Sequence, residues 1–285
     1  MKVIFVGTGA IGLPMACQIK RAGHAVLGVD VIEASRQRAQ AQGIEAVSSI
    51  TQAPAADVVV VMVATPQQLQ DLVAEALPQA AGQHWVIMST VGPQAVREAA
   101  SQLIAAGARV IDAPVTGGTA RASTGELVIF ASGTPAAIAK VEPVLASMGS
   151  VSIVGSEVGE GQGIKVINQH LCSIHIVAAA EALNLAQMLK LDPAQVLKLV
   201  ERGAAGSWML SDRGPRMLEG TDVDVSSAIN IFVKDSGLVA EAATSCHAEV
   251  PLLQIAHARY LAAAKAGLGQ CDDSRVIETW SNPAK

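Results

Sequence analysis

Short apolar runs alternate with amphipathic stretches through the first half of the chain. Runs of about four to eight β-branched and other apolar residues are typical of buried parallel strands, whereas longer periodic stretches are typical of helices. The predicted strands are Val3–Val6, Ala25–Val29, Asp57–Ala64, Trp85–Met88, Arg109–Asp112 and Leu127–Ala131. The predicted helices are Ile11–Ala22, Glu33–Gln42, Pro66–Leu77 and Gln94–Ala106. Because strands that alternate with such helices form βαβ units, the pattern predicts an α/β fold with a doubly wound parallel sheet.

The alternation ends near Gly155, and a long helix is predicted to follow. No Gly or Pro interrupts the chain between Gly163 and Lys190, where Ala, Leu, Ile and Val predominate. A lipid-exposed span would not tolerate the polar residues within this stretch. The sequence therefore predicts a helix buried in protein on most of its faces, and no membrane partner. Further helical patterns make the second half all-helical, and they cover Pro193–Glu201, Val233–Ala243 and Leu252–Ala266.

A glycine-rich segment, Gly155–Gly161, separates the two halves and is a candidate hinge. The predicted organisation is an N-terminal α/β domain over residues 1–160, joined by the long helix to an all-helical domain over residues 161–285. At about 100–200 residues per domain, a chain of 285 residues accommodates two such domains.

Composition narrows the classes of protein and partner. Apolar residues make up 51% of the chain and charged residues 16%, which excludes a disordered chain and predicts much hidden surface, in a core or an oligomer interface. The net charge of −5 and the scarcity of aromatic residues argue against a nucleic-acid partner. The four cysteines form no CxxC pair and no zinc-type spacing, so no metal site is predicted. We expect buried free thiols and a cytoplasmic protein, since no signal peptide precedes the first strand.

The glycine-rich turn Gly7-Thr8-Gly9-Ala10-Ile11-Gly12 follows the first predicted strand and opens the first predicted helix. A GxGxxG pattern in this context is typical of a dinucleotide-binding turn. Gly7 permits the tight turn, Gly9 lets the backbone approach a pyrophosphate, and Gly12 permits close packing of the helix on the strand. The free N–H groups at the helix N-terminus attract the same anion. The alternative is a glycine-rich turn that binds nothing.

Asp30 ends the second predicted strand, where a carboxylate can accept hydrogen bonds from both ribose hydroxyls of a dinucleotide. The same carboxylate would repel a 2′-phosphate, so the predicted cofactor is NAD. Arg36 and Arg38 follow on the next predicted helix, where we expect both to be solvated. They keep NADP open as an alternative cofactor.

The loop Asp112–Arg121 follows a strand and contains a hydroxyl residue, Thr116, before Gly117 and Gly118. Backbone N–H groups of paired glycines can bind a carboxylate, although a plain turn held by Asp112 explains the pattern equally well. Near the C-terminal end, Lys234-Asp235 lies in an amphipathic helix, where such a pair is usually a solvated face.

Lys165, Asn168 and Gln169 share one face of the long predicted helix, because they are three and four residues apart. A lysine in an apolar helix is costly unless it is paired or functional. Partial burial would lower its pKa toward neutrality, which suits a group that transfers protons. The alternative is a surface lysine whose stem lies along the helix while its ammonium reaches water.

These segments, in this order and spacing, resemble the β-hydroxyacid dehydrogenase family, which includes 3-hydroxyisobutyrate dehydrogenase and tartronate semialdehyde reductase. The resemblance extends from Val3 to about Trp280. It implies an N-terminal Rossmann domain, a connecting long helix and an all-helical domain. The family motifs match at Gly7–Gly12, Ser89-Thr90-Val91, Asp112–Gly118, Lys165–Gln169 and Lys234-Asp235.

The resemblance also implies roles for individual residues in hydride transfer between a small hydroxy acid and NAD. Lys165, as general acid/base, and Asn168 would be catalytic, and Thr116, Gly117 and Gly118 would bind the substrate. The implied cofactor-binding residues are Gly7, Gly9, Ala10, Ile11, Gly12, Asp30, Val63, Ala64, Thr90 and Lys234. Family members associate through the helical half, so a homodimer or homotetramer is expected.

The C-terminal half further resembles the L-threonate dehydrogenase branch, at Gly203–Met209, Arg213–Met217, Ser227–Asp235 and Asp272–Ser274. That branch uses NAD and acts on four-carbon sugar acids. The alternatives are 3-hydroxyisobutyrate dehydrogenase or tartronate semialdehyde reductase activity and, outside catalysis, a sensor that binds NAD. Thr116 replaces the usual serine and Ser236 the usual leucine. Arg121, Arg213 and Arg216 are candidate substrate contacts, although surface charge is the commoner fate of such residues.

Overall fold

In a computed structural model, which describes residues 1–281, the chain divides into two compact units, Met1–Lys165 and Val166–Lys285. The sequence places the domain boundary between residues 160 and 161. The contacts divide the chain a few residues later, inside the long helix.

The first unit contains a nine-stranded sheet with helices packed against it. Its strands are β1 Lys2–Val6, β2 Ala25–Val29, β3 Ala46–Val47, β4 Val58–Val61, β5 His84–Ile87, β6 Arg109–Asp112, β7 Val115–Thr116, β8 Leu127–Ser132 and β9 Gly149–Gly155. Its helices are α1 Gly12–Arg21, α2 Glu33–Ala41, α3 Pro66–Ala76, α4 Pro93–Ala105, α5 Gly118–Thr124 and α6 Pro135–Ala146.

The strand order is β3-β2-β1-β4-β5-β6-β8-β7, with β9 paired to β8. The first six strands in this order run parallel, whereas β8 is antiparallel to both β6 and β7. Because the chain moves outward from β1 in one direction and from β4 in the other, the order reverses between these two strands. This arrangement confirms the predicted doubly wound sheet.

The central strands are buried on both faces, which explains their uninterrupted apolar sequences. In β1, Val3 and Phe5 contribute to one core with α1, whereas Ile4 and Val6 contribute to another with α3. All four valines of β4 are fully buried, alternating between the same two cores. Each buried side chain of this size stabilises the fold by about 1.5–3 kcal/mol, so the sheet is a rigid support for the loops at its edge.

The second unit is helical within residues 166–281, as predicted. The long helix α7, Glu160–Met188, enters it from the first unit. The helices α8 Pro193–Val200, α9 Trp208–Leu218, α10 Ile229–Ser245, α11 Pro251–Ala263 and α12 Glu278–Ser281 follow. Their core includes Phe232 stacked on Tyr260, with ring centroids 5.2 Å apart.

Among the described residues, α7 is the helix with the length and mean hydropathy of a membrane span. Its most apolar 18-residue window has a mean hydropathy of 1.3, and 39% of that window is buried inside the protein. The prediction that this helix is buried on most of its faces is therefore wrong, because apolar side chains such as Ile167 and Leu171 are exposed. Core helices of water-soluble proteins can have the same length and mean hydropathy, so α7 alone is weak support for a membrane span.

The structure contains elements that the sequence did not predict, among them β7, α5 and α6, and their composition explains why. β7 and α5 are short and made largely of Gly, Thr, Ser and Ala, while α6 contains Pro143. The candidate hinge is not an open linker, because Gly159 and Gly161 are buried, and a Cβ on Gly161 would lie 2.5 Å from the carbonyl oxygen of Phe130. The prediction of buried thiols is wrong, because Cys246 is exposed and Cys17, Cys172 and Cys271 are only half-buried.

Candidate active site

The loops that carry the predicted cofactor and substrate residues of the first unit all follow carboxyl ends of parallel strands. Gly7 follows β1, Asp30 follows β2, Val63 comes after β4, Thr90 comes after β5, and Thr116 comes after β6. The carboxyl ends of parallel strands share one edge of the sheet, so the fold brings these segments to that edge. In doubly wound sheets, ligands bind there, where the strand order reverses.

The glycine turn has the geometry that its pattern predicts. Gly7 has a φ of +90°, and a Cβ there would lie 2.2 Å from the carbonyl oxygen of Met62. A Cβ on Gly12 would lie 1.9 Å from the carbonyl oxygen of Gly7, so α1 can begin this close to β1 only with glycine. A Cβ on Gly9 would meet no atom within 4 Å, which leaves the backbone open to a ligand. The turn therefore fits a dinucleotide pyrophosphate.

Asp30 is half-buried, and neighbouring groups fix its carboxylate. Its Oδ2 accepts a hydrogen bond from the Thr8 N–H at 2.9 Å, and its Oδ1 accepts one from the Ile32 N–H at 2.9 Å. Arg36 is half-buried rather than solvated, since its Nη1 donates to the carbonyl oxygens of Asp30 and Val31. Arg38 is exposed. The carboxylate is thus held in a defined orientation and retains lone pairs for hydroxyl donors.

The loops after β4 and β5 are joined through Ser89. Its Oγ accepts from the Val63 N–H at 2.7 Å and donates to the carbonyl oxygen of Val61 at 3.3 Å. Ala64 is exposed and Thr90 is half-buried. These contacts hold the two loops that contain predicted cofactor residues to one another.

In the predicted substrate loop, Gly117 and Gly118 have φ values of +131° and +68°. Glycine adopts both of these positive values without the strain that a residue with a Cβ would have there. Gly118 is exposed, and a Cβ added to it would have no other atom within 4 Å. Thr116, two residues earlier, is half-buried. The loop thus presents a hydroxyl and backbone N–H groups at an accessible surface. Arg121, on α5, is exposed.

Asp112, at the start of this loop motif, is fully buried and bonds to the beginning of α7. Its Oδ2 accepts from the backbone N–H groups of Gly159 at 3.0 Å and Gln162 at 2.8 Å. Burial raises the pKa of Asp112 from 3.8 to about 6, against the lowering effect of hydrogen bonds from Gln162 and Gly159. This carboxylate therefore holds a helix rather than only a turn.

Lys165 lies on α7 and is buried, with 6% of its surface exposed. It is therefore not the surface lysine of the alternative interpretation. Asn168, one turn later, is half-buried. The helix thus places a buried amine and a carboxamide on the same face.

Within the second unit, a chain of polar contacts links α7 to α10. Asn168 Nδ2 donates to Gln169 Oε1 at 2.8 Å, and Gln169 Nε2 donates to Asp235 Oδ2 at 2.5 Å. The other oxygen of Asp235 forms an ion pair with Lys234 Nζ at 2.8 Å. Asp235 is buried, so this pair is not the fully solvated face that its sequence context favoured.

Arg213, which is buried, and Arg216, which is half-buried, pair with buried aspartates rather than lying free on the surface. Arg213 donates through Nε and Nη2 to both carboxylate oxygens of Asp273, at 2.7 and 3.0 Å, and Arg216 pairs with Asp272 at 2.6 Å. Burial opposes the charge of Arg213, but the carboxylate of Asp273 raises its pKa above the usual range. Both arginines therefore hold the C-terminal segment in place.

Sequence reasoning did not identify two buried side chains that hold the start of α7. These are Gln162, in its first turn, and Ser132, at the end of β8. Gln162 lies between two glycines at the beginning of a predicted helix, which is the one sequence signal that could have identified it. Ser132 gives no local signal. Among residues 1–281, no group of three or more His, Cys, Asp or Glu side chains could hold a metal ion.

Two family profiles match this chain in sequence. A profile described as the NAD binding domain of 6-phosphogluconate dehydrogenase matches residues 2–158. A second, described as NAD-binding of NADP-dependent 3-hydroxyisobutyrate dehydrogenase, matches residues 159–280.

Individual relatives and solved structures extend the similarity over nearly the whole chain. L-threonate dehydrogenase from Cupriavidus necator is 36% identical over 279 residues, which cover 96% of this chain and 94% of the relative. A crystal structure of 3-hydroxyisobutyrate dehydrogenase from Salmonella typhimurium superposes with a TM-score of 0.91 at 33% identity, covering 98% of this chain and 99% of that one. The Mycobacterium tuberculosis 3-hydroxyisobutyrate dehydrogenase solved with L-serine gives a TM-score of 0.86 at 28% identity, covering 98% of each chain. The chain therefore belongs to the family of NAD-dependent hydroxyacid dehydrogenases and is an oxidoreductase.

Proposed function

We propose that this enzyme oxidises a four-carbon sugar acid of the L-threonate type with NAD, and that Lys165 is its general base. The observation that carries the proposal is the burial of Lys165 on a helix whose first turn is bonded to Asp112 at the carboxyl end of β6, on the same edge of the sheet as the dinucleotide turn. The relatives named L-threonate dehydrogenase, at 33–36% identity over nearly their full length, support this substrate class.

NAD is the proposed cofactor in preference to NADP because of Asp30. Its carboxylate, held by Thr8 and Ile32, would bind ribose hydroxyls and repel a 2′-phosphate. The turn Gly7–Gly12 would hold the pyrophosphate, and Ala10 and Ile11 within it would contact the cofactor. Val63, Ala64 and Thr90 would line the same edge of the sheet, and Lys234 would lie toward the nicotinamide end.

In this mechanism, bound NAD supplies the hydride acceptor. The Thr116 hydroxyl and the N–H groups of Gly117 and Gly118 bind the substrate carboxylate, which fixes the reacting carbon. Lys165 in its neutral form accepts the hydroxyl proton at Nζ, and Asn168 orients the amine or the substrate oxygen. The neutral amine is the form that a base requires, because its nitrogen has a lone pair to accept the proton.

The proposed division of labour follows the two halves of the chain. Residues 1–160 would bind NAD, and residues 161–285 would complete the substrate site and form a homodimer or homotetramer. Exposed apolar side chains in the second unit, such as Met188 at 73% and Leu199 at 71%, support an association surface there. The proposed location is the cytoplasm.

A substrate panel tests the proposal. NADH formation would be followed with L-threonate, D-erythronate, 3-hydroxyisobutyrate, D-glycerate and L-serine, and each acid would be repeated with NADP. We expect the highest kcat/KM with L-threonate and NAD. Preference for 3-hydroxyisobutyrate, which the similarity to solved 3-hydroxyisobutyrate dehydrogenases makes the second candidate, would keep the family and contradict the substrate. Tight NAD binding without turnover of any acid would instead support an NAD sensor.

A further inference from the structure

The buried side chain of Gln162 connects the start of α7 to the loop that follows β5. We propose that Gln162, oriented by Asp112, is a positioning residue that fixes Lys165 relative to this loop. The inference rests on the proposed function, because it assigns to Gln162 the placement of the proposed base. Gln162 and Asp112 touch neither substrate nor cofactor in this proposal, and they act through the segments that they join.

All four hydrogen-bonding positions of the Gln162 carboxamide are occupied. Its Oε1 accepts from the N–H groups of Val91 at 3.1 Å and Gly92 at 3.0 Å. Its Nε2 donates to the carbonyl oxygen of Ser89 at 2.9 Å and to Asp112 Oδ1 at 3.1 Å. The side chain is completely buried, so water does not compete for these contacts. One residue of α7 therefore holds both sides of Thr90.

The donors and acceptors permit only one orientation of the carboxamide. Rotating it by 180° would bring the NH₂ group against the N–H groups of Val91 and Gly92 and the oxygen against Asp112 and the Ser89 carbonyl. Each face would then pair donor with donor or acceptor with acceptor, which is strongly unfavourable in a buried site. Asp112 Oδ1 must be the acceptor in its hydrogen bond with Gln162, because the Gln162 NH₂ group can only donate. The network thus fixes the side chain in one rotamer and one orientation.

The backbone at the start of α7 is held by the same group of residues. Asp112 Oδ2 accepts from the N–H groups of Gly159 and Gln162, and Ser132 Oγ accepts from the Gly161 N–H at 3.0 Å. These are three of the N–H groups that a helix N-terminus leaves without a partner inside the helix. The negative charge of Asp112 is also placed where the helix dipole favours it. The helix therefore begins at a position that the ends of β6 and β8 determine.

Stability alone would require only the backbone contacts that cap the helix. The Gln162 side chain adds a second connection, to the Ser89–Gly92 loop, and Lys165 lies three residues further along the helix, on the neighbouring turn. A displacement of about 1 Å in a reacting group costs about 10²-fold in rate. Loss of the Gln162 contacts is therefore expected to reduce kcat. The affinity for NAD should stay nearly unchanged, because the hydrogen bonds of the Gln162 side chain involve neither the Gly7–Gly12 turn nor Asp30, which would bind the pyrophosphate and the ribose.

The test compares full-length wild type, Gln162→Met and Ser132→Ala. Met has a similar length to Gln but no amide, so it removes all four contacts. Ala at 132 removes the two contacts of the Ser132 hydroxyl, with the Gly161 N–H and with Asp112 Oδ2, at little change in volume. Gln102→Met is the matched control, because Gln102 is exposed near the end of α4. The measurements are kcat, the calorimetric Kd for NAD, the deuterium isotope effect on kcat, and the amide exchange rates of Val91 and Gly92 without cofactor.

For Gln162→Met we expect kcat to fall about 10²-fold with a Kd for NAD within about threefold of wild type. The isotope effect should rise, since hydride transfer becomes slower than product release, and the amides of Val91 and Gly92 should exchange faster. Ser132→Ala should lower kcat about tenfold, again without loss of NAD affinity. The control variant should match wild type in every measurement.

A folded Gln162→Met protein with wild-type kcat would overturn the proposal, as would a defect confined to NAD affinity. If Gln162→Met does not fold, Ser132→Ala decides, and an unchanged kcat in that variant contradicts the positioning role. Lys165→Met, measured in parallel, separates the role of Lys165 as the base from the positioning role of Gln162. Its full activity would refute Lys165 as the base, whereas its inactivity alongside fully active Gln162 and Ser132 variants would refute only the positioning role.

Discussion

Replacing Asp112 with Asn tests how a buried carboxylate is stabilised at the start of α7. Oδ2 of Asp112 accepts two backbone N–H groups and Oδ1 accepts from Gln162 Nε2. An Asn side chain has one oxygen, so either orientation turns its NH₂ group toward a donor. Leaving a buried donor unsatisfied costs about 1–3 kcal/mol, so we expect Asp112→Asn to lower the free energy of unfolding at every pH.

The pH dependence of this loss gives a sharper result. Folding raises the pKa of Asp112 from 3.8 to about 6, so the folded state binds the proton more tightly than the unfolded state does. The group therefore stabilises the wild type most at low pH, and that contribution is lost as the pH rises through about 6. At about 1.4 kcal/mol per pKa unit, the whole change is about 3 kcal/mol, and roughly half of it falls between pH 5 and pH 8. The Asn variant lacks this term, so its destabilisation relative to wild type should shrink as the pH rises.

Urea unfolding of wild type and Asp112→Asn at several pH values between 5 and 8 measures this difference. Asp71→Asn serves as the control, because Asp71 is exposed on α3 and accepts a hydrogen bond from Gln67. The reasoning is refuted if the destabilisation by Asp112→Asn grows as the pH rises. That outcome would mean that the N–H donors and the helix dipole outweigh burial and lower the pKa of Asp112.

Three further changes have defined outcomes. Lys165→Met should reduce kcat by about 10²–10⁴-fold in steady-state assays while NAD affinity is retained, because it removes the general base. Asp30→Ala should lower kcat/KM with NAD and raise it with NADP, and an unchanged cofactor preference would contradict the role of this carboxylate. Asp273→Ala should lower the free energy of unfolding by about 3–5 kcal/mol in urea denaturation, because it leaves the buried charge of Arg213 without its main partner.

Six of the nine strands of the first unit could be predicted to within a few residues because each contains a short apolar run, whereas β3, β7 and β9 were not predicted. β4 is four consecutive valines buried on both sides, and only a strand at the centre of a sheet buries such a run. β9 shows the limit of this reasoning. Its side chains are largely exposed or half-buried, so its sequence lacks the apolar pattern that would mark it.

The geometry of the glycine turn can be predicted from the local sequence, but the long-range contacts of Gln162 cannot. The φ of Gly7 and the crowding at Gly12 follow from a turn between adjacent elements. Gln162, by contrast, bonds to groups about 50 and 70 residues earlier in the chain, at Asp112 and Ser89. A pattern read within one element does not contain such contacts, and the roles of the predicted site residues stay predictions until they are measured.

Transfer of deuterium from carbon-deuterated L-threonate to NAD tests the central claim most directly. The reduced cofactor would be isolated and its deuterium content measured by mass spectrometry, for wild type and for Lys165→Met. The account predicts that deuterium appears in the reduced nicotinamide with wild type, and about 10²-fold more slowly or not at all with the variant. Absence of deuterium from the cofactor with wild type, or transfer by Lys165→Met at the wild-type rate, would contradict it.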